Sequence, residues 1–401
     1  MNLKFLLLSA VLLTACQHKL PTPPGAGQEE QLPQWPVWGG NLRHTANAAD
    51  PVEYYVGPSQ GVEGWNRKLF DITAGAPSIH SDGTIYVASS PASSTADSAF
   101  VYAFLPDGTQ KWRFKTDATI YTSGALDQEG TYYVVDTRGG IYAITASGEM
   151  KWKRKVETSL LVGHPALTRY GLLICAFVPG LFAFDKDTGE EIWQVPVEGD
   201  MLGGVSIGKD GTIYAGTRHS LVAFTAEGRI KWQLPLSQGP FEVMIGPQGT
   251  LYFQIQGDST LYAYNPDGTL KWTYDVGCCP QYDVPALSKE GNIYVIQKRN
   301  LVFYLVVLNP AGKEVKRFNL FEIAGDRVGR TTTWPIVDAE NTIYVHLFHG
   351  TSPNWYAIQD SGEIKWQALV APQRPFNFDF PVLAPDGALC VVSVHRIHYI
   401  K

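Results

Sequence analysis

The chain has 401 residues, 45% of them hydrophobic and 12% aromatic, which is enough to bury a large core. Its formal net charge is −6 at pH 7, and no basic cluster longer than Lys151 to Lys155 occurs, so the electrostatic footprint of a nucleic-acid binder is lacking. The 5 cysteines fall into no metal-ligand spacing.

Lys4 followed by the apolar run Phe5 to Leu13 reads as an export signal, too short for a spanning helix. The run ends in Leu13-Thr14-Ala15-Cys16, which resembles the lipobox of bacterial lipoproteins. That resemblance implies removal of residues 1–15 and acylation of Cys16; an ordinary signal with a chance cysteine is the competing reading. Gln17 after the cysteine implies sorting to the outer membrane in a host that has one, and otherwise retention on the outer face of the cytoplasmic membrane. Residues 16–34 are rich in Pro, Gly and Gln and read as a flexible tether, so the membrane is expected to be touched through the lipid alone.

Residues 35–401 are expected to form one domain. The stretch from Asp82 to Trp112 (DGTIYVASS…FVYAFLPDGTQKW) recurs along it with a period of about 40 residues, the size of a propeller blade of four short strands. Apolar and polar residues alternate over short runs, giving strands A to D in each copy. The A–B turns carry Gly83, Gly130, Gly171, Gly211, Gly249, Gly291 and Gly387, with Asn341 in the remaining copy. Glycines 108, 148, 189, 228, 268, 312 and 362 mark the C–D turns. Four residues after a C–D glycine stands Trp112, Trp152, Trp193, Trp232, Trp272 or Trp366, read as packing between blades, whereas one copy has Lys316 there. Seven copies run from Ala74 to Val370, and the two chain ends supply an eighth: strands A to C from Phe378 to Lys401, strand D from Gly61 to Phe70. The fold class is therefore all-β, an eight-bladed propeller of four-stranded antiparallel blades closed by an N-terminal outer strand, with seven blades as the alternative. Closure of this kind leaves no open end to the ring and suits a monomer.

The motif Trp35-Pro-Val-Trp38-Gly39-Gly40-Asn41-Leu-Arg43-His44-Thr45, followed by these repeats, resembles the pyrroloquinoline-quinone-like β-propeller superfamily. Its members include the quinoprotein alcohol dehydrogenases and the BamB-type lipoproteins of the outer-membrane assembly machinery. The lipobox and the absence of a C-x-x-C-H haem motif lean toward the second group. On that side the resemblance implies a non-catalytic scaffold without cofactor, binding envelope proteins; on the other it implies a dehydrogenase of alcohols or sugars using the quinone with Ca²⁺. A carbohydrate- or peptide-binding surface lipoprotein is the third reading.

Sites are expected on the face that carries the D–A and B–C connections, because the Gly-turn face is short and repetitive. Counting back seven residues from each A–B turn places Ala76, Ser123, His164, Gly204, Glu242, Val284, Trp334 and Phe380 at the mouth of the central channel. Tyr121, Tyr282, Asp283, Arg330, Arg374 and Asp379 lie close to them in sequence. Tyr121, His164, Glu242, Tyr282, Asp283, Arg330, Trp334, Arg374, Asp379 and Phe380 form the candidate partner or ligand face. In quinoprotein dehydrogenases such a mouth holds the quinone over a Trp, with carboxylates on Ca²⁺ and one as base; Trp334, Glu242 and Asp379 match those types. Cys278-Cys279 in a D–A loop resembles the adjacent-cysteine disulfide of some quinoproteins, and two separate thiols or a loop-stiffening bond remain open. Cys175 and Cys390 fall on B strands and are expected as buried thiols. His346 and His349 in a B–C loop, and His395 with His398 near the C-terminus, read as scattered surface histidines, with metal binding in pairs as the alternative. No phosphate loop, zinc-protease signature or nucleophile elbow occurs, so no catalytic residue is assigned.

Overall fold

A computed structural model describes residues 55–401 except 70–71, 74, 91–98, 158–159, 162, 179, 198, 256, 278–284, 326–327, 332–334, 350–351, 370–379 and 394. The alternating pattern folds into eight antiparallel sheets arranged as the blades of an eight-bladed propeller. Blade 2 shows the plan: Ala125–Leu126 innermost, then Tyr132–Val135, Gly140–Ile144 and the outer Met150–Lys155. The B and C strands are buried on both faces because neighbouring blades cover them. The D strand is mostly exposed, with Trp152 turned inward, and carries the basic run Lys151 to Lys155 on its outer edge.

The ring closes as the repeat count requires. Glu63–Lys68 pairs antiparallel with Arg396–Ile400, which pairs in turn with Leu389–Ser393 and Phe380–Leu383. Backbone bonds between Val62 and Lys401 at 2.8 Å in both directions, and from Leu69 N–H to the His395 carbonyl at 2.7 Å, extend the ladder beyond both ends of the pair. Trp65 stacks on Tyr399 at 5.0 Å between ring centroids, joining the two strands by their side chains.

The periodic tryptophans join each blade to the next by one device. Indole N–H groups donate to a carbonyl in the following C–D turn: Trp112 to Ala146 at 3.0 Å, Trp152 to Lys186 at 2.8 Å, Trp193 to Ala226 at 3.0 Å and Trp232 to Pro266 at 2.9 Å. Trp272 reaches Pro310, Trp366 reaches Pro58, and Trp65 of the closing strand reaches Pro106, so the ring of contacts returns to its start. The same indole lies on the Cα of the turn glycine. At Gly148 φ is 88°, and a Cβ there would stand 2.6 Å from Trp112 Cγ, so both the left-handed backbone and the packing demand glycine.

The one joint without Trp divides the two jobs. Lys316 Nζ donates to the Asp360 carbonyl at 2.9 Å and pairs with its carboxylate at 2.5 Å. Phe318 covers Gly362, where a Cβ would meet its ring at 2.6 Å. The sixth joint is thus packed differently, with an ammonium as donor and a phenyl ring as lid.

Three expectations change in detail. The B–C segment of blade 7 is a long hairpin of Ile343–His349 with Ser352–Ile358 and not a loop, and His346 pairs with Trp355 inside it. His346 is 2% exposed and stacks on Trp355 at 5.0 Å, because its strand position faces the interior. The D–A connection after blade 6 contains a short helix, Leu320–Ala324, capped by Asn319 accepting from Phe321 N–H and ended by Gly325 at φ 71°. Most inner strands begin two residues after the counted positions, as at Ser78, Ala125 and Ala166, while blade 4 begins earlier and runs through Met201–Ile207.

Candidate functional site

Of the sequence-derived candidates, Tyr121, His164 and Glu242 lie among the described residues. Arg330 is described in backbone only, in Val328–Thr331 paired with Phe348, and Phe380 likewise at the start of Phe380–Leu383. Cys16, Cys278, Cys279, Tyr282, Asp283, Trp334, Arg374 and Asp379 fall outside the described residues.

The inner strands of blades 1 to 5 bring the counted positions side by side at one end of the channel. Ser123 N–H donates to His164 Nδ1 at 3.0 Å, so that nitrogen carries no proton and the neutral ring holds its hydrogen on Nε2. A methyl group on Gly204 would lie 3.5 Å from His164 Cδ2 and 3.6 Å from Glu242 Oε1. Gly204 therefore forms the floor of a notch with an imidazole on one wall and a carboxylate on the other. The walls stand close because the neighbouring backbones touch: a Cβ on Gly203 would be 1.9 Å from the Phe241 carbonyl oxygen, and one on Gly163 would be 2.3 Å from that of Gly203. Tyr121 is 68% exposed at the rim, and the buried Thr122 and Ser123 hydroxyls have no hydrogen-bond partner among the described residues. Buried hydroxyls in this state favour water or a ligand donor nearby.

A notch of this kind can hold a polar group by a donor and an acceptor on opposite sides. Among the described residues the mouth supplies one carboxylate, where Ca²⁺ takes about six to eight oxygens; Asp283, Trp334 and Asp379, the other candidates for a quinone and Ca²⁺ site, lie outside the described residues. No group of three or more His, Cys, Asp or Glu side chains that could hold a metal occurs among the described residues. Two groups of carboxylates among the described residues serve a turn and a blade joint. Asp185 in the turn Asp185-Lys-Asp187-Thr-Gly189 accepts from the Asp187 and Thr188 amides and the Thr188 hydroxyl at 2.8 to 3.0 Å, leaving it a turn residue. Between blades 2 and 3, Lys186 Nζ stands 3.3 Å from Glu129 and 3.7 Å from Asp127, while Tyr133 donates to Asp127 at 2.8 Å. Burial pushes Asp127 above the usual carboxylate range against these favourable contacts.

Counting from the turn glycines missed Gly163 and Gly203, whose role is a close backbone approach. The adjacent glycines Gly203-Gly204 in a strand-like stretch were the available signal. It also missed His398, which is 1% exposed and lies on the closing strand pair, although its phase with the tyrosines of the LYAF-like strands was legible.

Fold and repeat together define a PQQ-like repeat propeller. The family model described as outer membrane protein assembly factor BamB matches residues 51–169 and 180–375, and the chain belongs to that family. The chain is 29% identical over 139 residues to the outer membrane protein assembly factor BamB of Burkholderia pseudomallei, and 31% over 157 residues to that of Nitrosomonas eutropha. These matches cover 32% and 38% of this chain, and span 35% and 36% of the relatives' own lengths. Among solved structures, a europium-containing methanol dehydrogenase is similar at a TM-score of 0.70 and 12% identity, covering 92% of this chain and 98% of that one. The quinohemoprotein alcohol dehydrogenase of Comamonas testosteroni gives 0.67 at 12% identity, over 93% and 81% of the two chains. BamB from Moraxella catarrhalis gives 0.52 at 14%, over 75% and 92%. At these identities the structural likenesses speak for the fold alone.

Proposed function

We propose that this chain is a non-catalytic, lipid-anchored propeller that presents its D–A and B–C loop face to protein partners in the bacterial envelope, in outer-membrane protein assembly. The observation that carries the reading is the BamB family match over most of the propeller. The lipobox ending in Cys16 and the tether that follows support an exported, membrane-anchored protein.

The test is crosslinking and pulldown of the full chain from envelope membranes, beside Arg330→Ala, Trp334→Ala and Arg374→Ala variants. Recovery of outer-membrane assembly proteins, reduced in those variants, supports the reading. Recovery of no envelope protein, with unaltered envelope integrity in the variants, overturns it. Incubation with the quinone and Ca²⁺ is expected to give no dye reduction; activity lost in Glu242→Ala would establish the dehydrogenase instead. Radiolabelled palmitate is expected on the wild type and not on Cys16→Ser.

A further inference from the structure

The eight outer strands are unequal in charge. Each is the edge of its blade and needs the same protection against pairing with another chain, for which an edge lysine is a common device. Five blades manage with few cations: none on Glu191–Pro196, one each on Ile230–Pro235, Leu270–Asp275 and Ile364–Ala368, and two on Glu314–Asn319. The other three carry more, with two on Glu63–Lys68, three on Gln110–Lys115 and four on Met150–Lys155, against Glu63 as their one acid. These three are consecutive in the ring, since Trp65 bonds to the C–D turn of blade 1 and Trp112 to that of blade 2. Edge protection, equal for all blades, does not account for a basic wall on one side of a chain whose net charge is −6.

Among the described residues little of this charge is neutralised. Carboxylates pair with Lys151, through Asp187 at 2.8 Å, and with Lys153, through Asp117. Two arginines bind carbonyls and so keep their full charge: Arg67 Nε donates to Gly108 at 2.7 Å and Arg154 Nε to Gly189 at 2.8 Å. Lys155 likewise donates to the Arg138 carbonyl. Lys68, Lys111 and Lys115 are exposed, and Asp107 and Glu149 in the adjoining turns leave the excess positive. Edges about 45° apart on a ring of roughly 20 Å radius put the flanking strands about 6 Å behind a plane that touches blade 1, inside the ~8 Å screening length at physiological salt. A flat anionic surface therefore feels all three strands at once.

We infer that this wall, the outer strands of blades 8, 1 and 2, lies against the anionic lipid surface of the membrane to which the chain is anchored. The inference deepens the proposed function, rests on its lipid anchor, and adds a second membrane contact to the lipid alone. The path of the chain favours a membrane over another anionic occupant. Its first described residues cross the Gly-turn face toward this sector: the Tyr55 carbonyl accepts from Ala339 N–H at 2.9 Å, Gly57 N–H donates to Asp338 at 2.9 Å, and the Pro58 carbonyl accepts from Trp366 at 2.7 Å. From there the chain enters Glu63–Lys68, the first strand of the wall. A coil of about 40 residues, the separation of Cys16 from Tyr55, spans roughly 35 Å, so an acylated Cys16 would hold the sector beside the bilayer. An acyl anchor and a basic surface are two signals that together make attachment stable. With the wall on the lipid, the propeller axis runs along the membrane plane and the D–A and B–C loop face stays open at the side for a partner.

Vesicle flotation of the chain from Gln17 onward, which keeps all the described strands and carries no acyl group, tests this. Binding is expected on phosphatidylethanolamine vesicles with about one-third phosphatidylglycerol, each cation at such a surface contributing about fivefold. It is expected to be absent on phosphatidylcholine alone and to be lost at about 1 M salt, where screening shortens to ~3 Å. Lys68→Glu, Lys111→Glu and Lys115→Glu together are expected to weaken it by at least about 100-fold. Lys209→Glu, Lys271→Glu and Lys313→Glu, the same charge change on exposed residues of blades 4, 5 and 6, are expected to leave most of it. The salt series on the unaltered chain keeps the test decisive should a triple variant not fold. No binding to the anionic vesicles, equal binding to neutral ones, equal loss in the two triple variants, or retention by soluble polyglutamate with none by vesicles, the mark of an acidic protein partner, would overturn the inference. The assay is independent of acylation: vesicle binding without palmitate on Cys16 keeps the surface and removes the anchor, and palmitate without vesicle binding does the reverse.

Discussion

Replacing Trp152 by Phe isolates what the indole contributes at a blade joint, because the ring is 7% exposed and its N–H meets the Lys186 carbonyl at 2.8 Å. After the change that carbonyl keeps the Tyr133 hydroxyl at 3.1 Å, whose proton is held more closely by Asp127 at 2.8 Å. Leaving a buried acceptor short of its donor costs roughly 1–3 kcal/mol. The missing part of the bicycle leaves a void of about 40 Å³, worth ~1 kcal/mol at the observed cost per unit cavity volume. The sum is about 3 kcal/mol. Trp232→Phe removes the same N–H from a joint where the bond to Pro266 is solvent-exposed, so water replaces the donor and the cost falls to ~1 kcal/mol. Equilibrium denaturation of both variants measures the difference, expected to be about 2 kcal/mol, a factor near 30 in the folding equilibrium. Equal losses, or a loss below ~1 kcal/mol for Trp152→Phe, would refute the assignment of a buried donor to this joint.

A matched glycine pair tests the packing over the turns. Gly148→Ala meets both φ 88° and Trp112, whereas Gly257→Ala meets φ 81° with no described atom within 4 Å, so the second is expected to lose only the ~1–2 kcal/mol backbone cost and the first to lose more than that. Cys175 and Cys390 are fully buried, and burial pushes both thiols up; mass spectrometry after alkylation at pH 8 is expected to find them unmodified in the folded chain and labelled in denaturant. Phe318→Ala is expected to cost about 3 kcal/mol by uncovering Gly362, and Lys316→Ala under ~1 kcal/mol, since its ion pair with Asp360 is half-exposed. Thermal unfolding of the two variants checks that order.

The architecture was legible in the residues because a propeller repeats its local rules: Gly at each tight turn, alternation along each strand, Trp at one fixed offset. Even the closing blade could be read, since Trp65 keeps the Gly-to-Trp spacing of the other outer strands four residues after Gly61. The function was less legible, for the copies agree where they pack and differ at the mouth, where contacts join residues from separate blades. Sequence offered Ser123, His164 and Glu242 as neighbours on a ring but gave no reason for Gly203, which only the approach of the Phe241 backbone explains. It marked Lys316 as an anomaly, while the tertiary structure decided that Lys316 and Phe318 share the work of one indole. It likewise left His398 among scattered histidines, because burial and the nearness of Glu63 exist only once the two chain ends meet. Local periodicity, then, was enough to determine the blades and their number. Which side chains face one another across a joint or the channel depends on the closed ring, since those contacts span about 40 residues at each joint and the whole chain at the last.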